Sequence, residues 1–146
     1  MKRSKALIAS IMSRVKAKNT QPELELQREL RRLGYRFKTH CKELSGKPDI
    51  VFPKERVAIF VDGDFWHGQQ WKRRGLPSLQ AQFRQTDNRT YWLRKIEKNV
   101  RRDASTSRRL RREGWSVLRI WESAWKGRPG KCIAKIQRKL DEKTKR

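Results

Sequence analysis

This chain's pattern specifies a mixed α/β domain around one small sheet, and three observations carry that reading. Two β-branched and aromatic runs, IVF and VAIFV, are separated by the four residues Pro53, Lys54, Glu55 and Arg56. A long amphipathic segment runs from about Thr90 to Glu113 and stops at Gly114. A further strand-like run, WSVLRIW at 115–121, follows it, so that strands and helices interleave along the chain. The 146 residues suit a single domain spanning 1–146, with a basic helical arm at 1–18 and a basic C-terminal helix or tail at 128–146.

Taken in order, the opening MKRSKALIASIM has the basic-then-apolar character of a secretory leader. Its apolar run is short, contains Ser10 and passes straight into Arg14, Lys16 and Lys18. It reads instead as a short helix with Leu7, Ile8, Ile11, Met12 and Val15 on one face. At 19–34, Thr20 is a cap, Pro22 suits the first turn and Glu23 stands three residues after Thr20 as in a capping box. Leu26, Leu30 and Leu33 form the expected buried stripe, and Gly34 ends the helix. YRFKTH (35–40) alternates as an edge strand does. Residues 68–90 are polar, basic and irregular. The long helix then carries Leu93, Ile96, Val100, Ala104 and Leu110 on one side, and the chain closes with a basic helix at 130–142.

Charge limits the partners. Lys and Arg number 39 against 15 Asp and Glu, a formal net charge of +24. Such an excess speaks about association rather than fold. Nucleic acid comes first, because neutralising phosphates rewards scattered cations, with membrane surfaces second and structural RNA binding third. Six Trp and a 35% hydrophobic fraction set the chain apart from a disordered basic tail. No apolar run approaches a membrane span, and a cytoplasmic protein is expected. Cys41 and Cys132 lie far apart in no ligand spacing, which suggests neither a disulfide framework nor a zinc site.

The stretch PDIVFPKERVAIFVDGD (48–64) carries the chemistry. If the four-residue loop pairs Phe52 with Val57, Asp49 stands opposite Phe60, and Asp62 points to the same face. The two aspartates then become diagonal neighbours, roughly 7–8 Å apart or less at Cβ, a gap that a hydrated divalent cation spans. A one-residue slip would separate them. The plainer reading is that Asp49 caps a strand and Asp62-Gly63-Asp64 is a turn. Glu23 is accounted for by the capping box alone. His67 is either a structural histidine or a group that moves a proton at a scissile phosphate. Phe65 and Trp66, and Trp92 further on, are either core residues or a wedge that enters a base stack. Between Arg84 and Arg112 stand 11 basic residues against three acids, which points that helix face at phosphates rather than at solvent alone.

The combination of NTQPELELQREL, GKPDIVFP, VAIFVDGDFWHG, YWLRKIEKNVRRD and GWSVLRIWESAW, in this order, resembles the very-short-patch-repair (Vsr) endonuclease family over about Ser13 to Gly127. The resemblance implies a restriction-endonuclease-like α/β fold, a small mixed β-sheet flanked by helices, acting on double-stranded DNA. It implies a Mg²⁺-dependent nick at T:G mismatches that arise from deaminated 5-methylcytosine, in a bacterial or phage setting close to the nucleoid. By position, Asp49 matches the metal-binding aspartate and the Val61 carbonyl a second ligand. His67 matches the catalytic histidine, and Glu23 a helix glutamate near the active site that would order the metal's water shell. Phe65, Trp66 and Trp92 match intercalating aromatics. Lys72, Arg73 and Arg74, with Arg94, Lys95, Lys98 and Arg101 of the long helix, are the expected phosphate contacts.

Two departures stand out. Asp62 replaces a second active-site histidine, which suggests a catalytic and metal-binding carboxylate pair with Asp49. The positions of the family's structural zinc ligands hold Asp64, Gln69, Trp71 and Ser123, a set ill suited to zinc, so packing through Trp71 and Trp125 is expected in its place and Asp64 receives no catalytic role. A Vsr-related nuclease that cuts paired duplex, of restriction or homing type, and a non-catalytic DNA-binding protein on the same fold remain the alternatives. A monomer is expected, and partners that recruit it are not indicated.

Overall fold

A computed structural model describes residues 20–145. The expected N-terminal helix through Leu7 and Val15 lies outside these residues. The elements are α1 (Gln21–Arg32), β1 (Lys38–Thr39), β2 (Ile50–Phe52), β3 (Val57–Asp62), α2 (Gln70–Arg73), α3 (Leu79–Gln82), α4 (Arg89–Arg112), β4 (Ser116–Trp121), α5 (Glu122–Gly127) and α6 (Pro129–Thr144). The strands form one mixed sheet in the order β1-β2-β3-β4, antiparallel at the first two pairings and parallel at the last. The parallel pair needs a crossover, and α4 is the long element within it.

Local chemistry explains the elements that frame the cleft. Thr20 Oγ1 accepts the Glu23 N–H at 3.4 Å and Pro22 occupies the first turn, so α1 starts where its cap and proline require. The hairpin register is the one that the four-residue loop demands, with Phe52 opposite Val57 and Ile50 opposite Ile59. Extending it by one residue sets Asp49 against Phe60, and the Asp49 N–H donates to Ile59 O at 3.0 Å.

Strand parity divides the core into two layers. Ile50, Phe52, Val57, Ile59, Leu118 and Ile120 pack with Leu26 and Leu30 of α1, Trp125 of α5 and Ile136 of α6. On the other face Ala58 and Phe60 pack with Leu110 of α4. Burying a side chain of this size contributes about 1.5–3 kcal/mol, so the larger cluster supplies most of the driving force.

Two expected stripes differ. Leu33 is 39% exposed because it is the C-cap of α1, and the chain has turned away at Gly34 with φ +91°. In α4 the buried residues are Trp92, Ile96, Asn99, Ser107 and Leu110, while Val100 is 41% exposed and Ala104 is exposed. The middle of the helix faces a polar cleft rather than apolar core, so its inward positions are polar. The irregular stretch at 68–90 contains two single-turn helices, α2 and α3, and α5 follows β4 without a loop.

Candidate active site

Asp49 lies just before β2, and Asp62 ends β3. Because β2 and β3 are antiparallel, both stand at the same end of the sheet, where β4 also ends at Trp121 opposite Asp62. A cleft of about 860 Å³ opens there. Glu23, Asp49, Asp62 and His67 line it, with Trp66 and Lys95 beside them. The fold thus brings four candidate residues to one cavity, though only Asp49 and Asp62 were placed together by strand parity, and the four do not form one cluster.

The first group is Glu23, His40 and Asp49, whose ligand atoms lie within 4.8 Å of one another. Glu23 is 1% exposed, accepts from Gln27 Nε2 at 3.2 Å and meets His40 Nε2 at 3.0 Å. Asp49 Oδ2 accepts the Val61 N–H at 2.7 Å. Burial pushes the Asp49 carboxyl up to about 7; the Val61 hydrogen bond opposes this, while the charges of Glu23 and Asp62 add to it and His40 opposes. Two carboxylates and one histidine thus act on Asp49.

The second group is Asp62, His67 and Asp103. Asp62, 3% exposed, accepts from Arg119 Nη1 at 2.8 Å through Oδ2, and Oδ1 lies 3.8 Å from His67 Nε2. The other ring nitrogen, Nδ1, donates to Asp103 Oδ2. Burial alone would lower the His67 pKa, but the Asp103 hydrogen bond and the charges of Asp62 and Asp103 outweigh it and hold the ring above its ordinary value, against Arg119. Arg119 is fixed by Ser107 Oγ at 3.1 Å and Asp103 O at 3.1 Å, and its guanidinium lies 4.2 Å from the centroid of Phe60. Asp62 thus has its cationic partner, Arg119, within the protein.

Asp103 and Arg119 escaped the sequence reading. Asp103 sits among arginines and looks like a solvated helix face. Its signal was the spacing Ile96, Asn99, Asp103, Ser107, Leu110, which is one helical face. Arg119 interrupts an apolar strand, VLRIW, and shares the face of Asp62 through the β3–β4 register. His40 carried no recognisable motif.

The aromatics are packed together. Phe65 meets Trp66, Phe83 and Trp92 edge-on at 5.1, 5.9 and 5.6 Å between centroids. Trp92 is 3% exposed and forms the floor of this cluster, whereas Phe65 and Trp66 are half-buried above it. Asn99 Nδ2 donates to Trp66 O at 2.9 Å and so ties the aromatic segment to α4. Lys72, Arg73, Arg74, Arg94, Lys98 and Arg101 are exposed, and Lys95 is half-buried at the cleft wall.

Asp64 has a structural part. Its Oδ1 accepts the Ser123 N–H at 3.1 Å, its carbonyl accepts from Gln69 and Gln70, and its Oδ2 lies 3.3 Å from Arg73 Nε, too bent for a hydrogen bond. Trp125 packs into the main core and donates to Glu25 Oε2 at 3.2 Å. The carboxylate of Asp64 joins the aromatic loop to α5. A carboxylate, an amide, an indole and a hydroxyl are also a poor donor set for tetrahedral zinc.

A mixed sheet whose end presents carboxylates beside a histidine, in a chain of +24, has the make-up that phosphodiester hydrolysis requires. Comparison with known proteins makes this specific. The family model for "DNA mismatch endonuclease Vsr" matches residues 2–73. The type II nicking enzyme V.NmeDIP of Neisseria meningitidis serogroup C is 40% identical over 128 residues, covering 88% of this chain and 82% of that one. V.XorIIP of Xanthomonas oryzae is 41% identical over 112 residues, 77% of this chain and 76% of the relative. The DNA mismatch endonuclease Vsr of Escherichia coli is 33% identical over 138 residues, 94% and 83% of the two chains. The chain belongs to the Vsr family of DNA endonucleases.

Proposed function

We propose that this endonuclease nicks one strand of duplex DNA at a T:G mismatch, with Mg²⁺ or a similar divalent cation held at Asp49. The observation that carries the reading is the division of the cleft into two chemically different walls. Glu23 and Asp49, with His40 beside them, form a wall of carboxylate and imidazole donors, which fits a divalent cation. Val61 supports Asp49 through its N–H, and by family position its carbonyl is a further ligand. When bound, the cation supplies Lewis-acid polarisation of the scissile phosphate.

The facing wall handles the proton. Asp103 orients the His67 ring and favours its protonated form, so Nε2 carries a proton toward the cleft. The imidazolium donates that proton to the oxygen that leaves phosphorus. Asp62 holds the ring charge from the other side and is itself neutralised by Arg119, so its part is positioning rather than metal ligation. Lys95 and the exposed cations of α2 and α4 grip flanking phosphates. Phe65 and Trp66 supply the wedge, and Trp92 supports them from below.

A supercoiled or end-labelled duplex with one T:G pair, compared with its matched control, tests the reading. Cation-dependent nicking of the mismatch, abolished in Asp49→Asn, is expected. Equal cutting of both duplexes would rule out mismatch specificity, and cutting by Asp49→Asn would rule out the site.

A further inference from the structure

We propose that His40 is a direct ligand of the cation at Asp49, making the site a mixed nitrogen–oxygen set of Glu23, His40 and Asp49 that prefers Mn²⁺-class ions over Mg²⁺. This rests on the endonuclease reading of the same cleft and adds to it a ligand and a metal preference.

Three observations converge. The Nε2 of His40 and Oε1 of Glu23 are 3.0 Å apart. Two ligands at right angles around an ion with bonds of about 2.1 Å are separated by about 3.0 Å, so the pair is spaced as adjacent corners of a coordination octahedron. Asp49 offers the third donor, with all three donors within 4.8 Å of one another. The backbone is tied in the same sense: the His40 N–H donates to Asp49 O at 3.1 Å, and His40 itself holds φ +51°. A non-glycine residue persists in that left-handed region when its surroundings over-determine it. Here the strained turn directs the ring onto Glu23 at the cleft. Glu23 in turn is anchored by Gln27 in the first turns of α1, so the donors are held by three different elements.

The second group offers a similar set of atoms, but its cationic position is already filled by Arg119, which contacts both Asp62 and Asp103. One cation therefore belongs to the His40 side of the cleft. An imidazole ligand shifts preference along the first-row series, because nitrogen donors favour Mn²⁺ and later ions more than Mg²⁺, which takes oxygen donors.

The chain contains two histidines, His40 and His67, and this makes the test decisive. Untagged full-length protein is loaded with Mn²⁺ and read by pulsed EPR for ¹⁴N coupling from a bonded imidazole. Coupling is expected in the wild type and in His67→Gln, where only His40 can supply it, and is lost in His40→Gln. Mn²⁺ affinity of His40→Gln falls by at least the roughly 10–100-fold that removing an outer-shell partner costs. Bound Mn²⁺ without ¹⁴N coupling in His67→Gln overturns the assignment, whether or not His40→Gln folds. Cation-dependent nicking without that coupling removes His40 as a ligand and leaves the endonuclease reading standing. Coupling without nicking of any duplex does the reverse.

Discussion

Asp49, the proposed cation ligand, carries a stability cost. Its carboxyl is raised to about 7, so between the ordinary carboxylate value and about 7 the folded chain holds a proton that the unfolded chain has released. Stability of the metal-free protein therefore falls as pH rises from about 4 through about 7, by on the order of 2–4 kcal/mol. Asn at this position keeps the acceptor for Val61 without the charge. Urea unfolding of metal-free Asp49→Asn at pH 8 is expected to give higher stability than the wild type, with nicking abolished; lower stability would refute the raised carboxyl pKa. His67 runs the same way. Its raised pKa means that the protonated ring and its stabilising contacts persist below the unfolded pKa and are lost as pH rises through the folded one. Asp103→Asn should lower the His67 pKa in an NMR titration, move the alkaline limb of the pH–rate profile downward and reduce kcat by roughly 10²–10⁴. An unmoved His67 titration would remove Asp103 from its positioning role.

The elements hold these residues through a few close approaches. Gly68, with φ +74°, crosses α4 so tightly that a Cβ there would lie 2.6 Å from Val100 Cγ2. This explains why Val100, half-exposed and apolar, is not part of the core stripe: it packs beneath the turn that follows His67. Gly68→Ala should cost about 2 kcal/mol or more, from the left-handed backbone and the collision together. Adding Val100→Ala should return the collision part and leave the backbone part. Thermal unfolding of the single and double variants measures both, and no recovery in the double variant would mean that contact is not what limits the site. The same helix shows why amphipathic reading misplaced its inner face. Hydrophobic periodicity finds the side that meets apolar core, but α4 lies against a polar cleft along its middle turns. There Asn99 holds the Trp66 carbonyl, Asp103 holds His67 and Ser107 holds Arg119.

Over the whole molecule, a net charge of +24 surrounds a cleft lined by five acids, Glu23, Asp49, Asp62, Asp103 and Glu122, with Lys47, Lys95, Arg102 and Arg119 between them. In the proposed function the cations bring the phosphates in, and the carboxylates hold the ion that acts on them. DNA affinity is expected to fall by roughly 10³–10⁵ between 50 and 200 mM salt if six to ten phosphates are contacted, with Lys95→Ala lowering the logarithmic salt slope by about 1. A flat salt dependence in a filter-binding or anisotropy titration would contradict that footprint. What could be read directly from the chain was local or periodic. The Thr20 cap, the four-residue hairpin loop and the two-residue alternation of strands are short-range rules, and they sufficed to predict the β2–β3 register and to bring Asp49 and Asp62 to one end of the sheet. Family-specific motifs extended this to His67 and the aromatic segment. Folding decided the partners. Arg119 reaches Asp62 across 57 residues and Asp103 reaches His67 across 36, through β4 and α4 packing on one face. Glu23 and His40 meet because a left-handed turn brings the edge strand's end to the start of α1. A carboxylate's role depends on which charges lie within a few ångströms, and that distance is set by the packing of remote segments. Thus the sequence could name Glu23, Asp49 and Asp62, while only the fold added Asp103 and set Arg119 against it and Asp62.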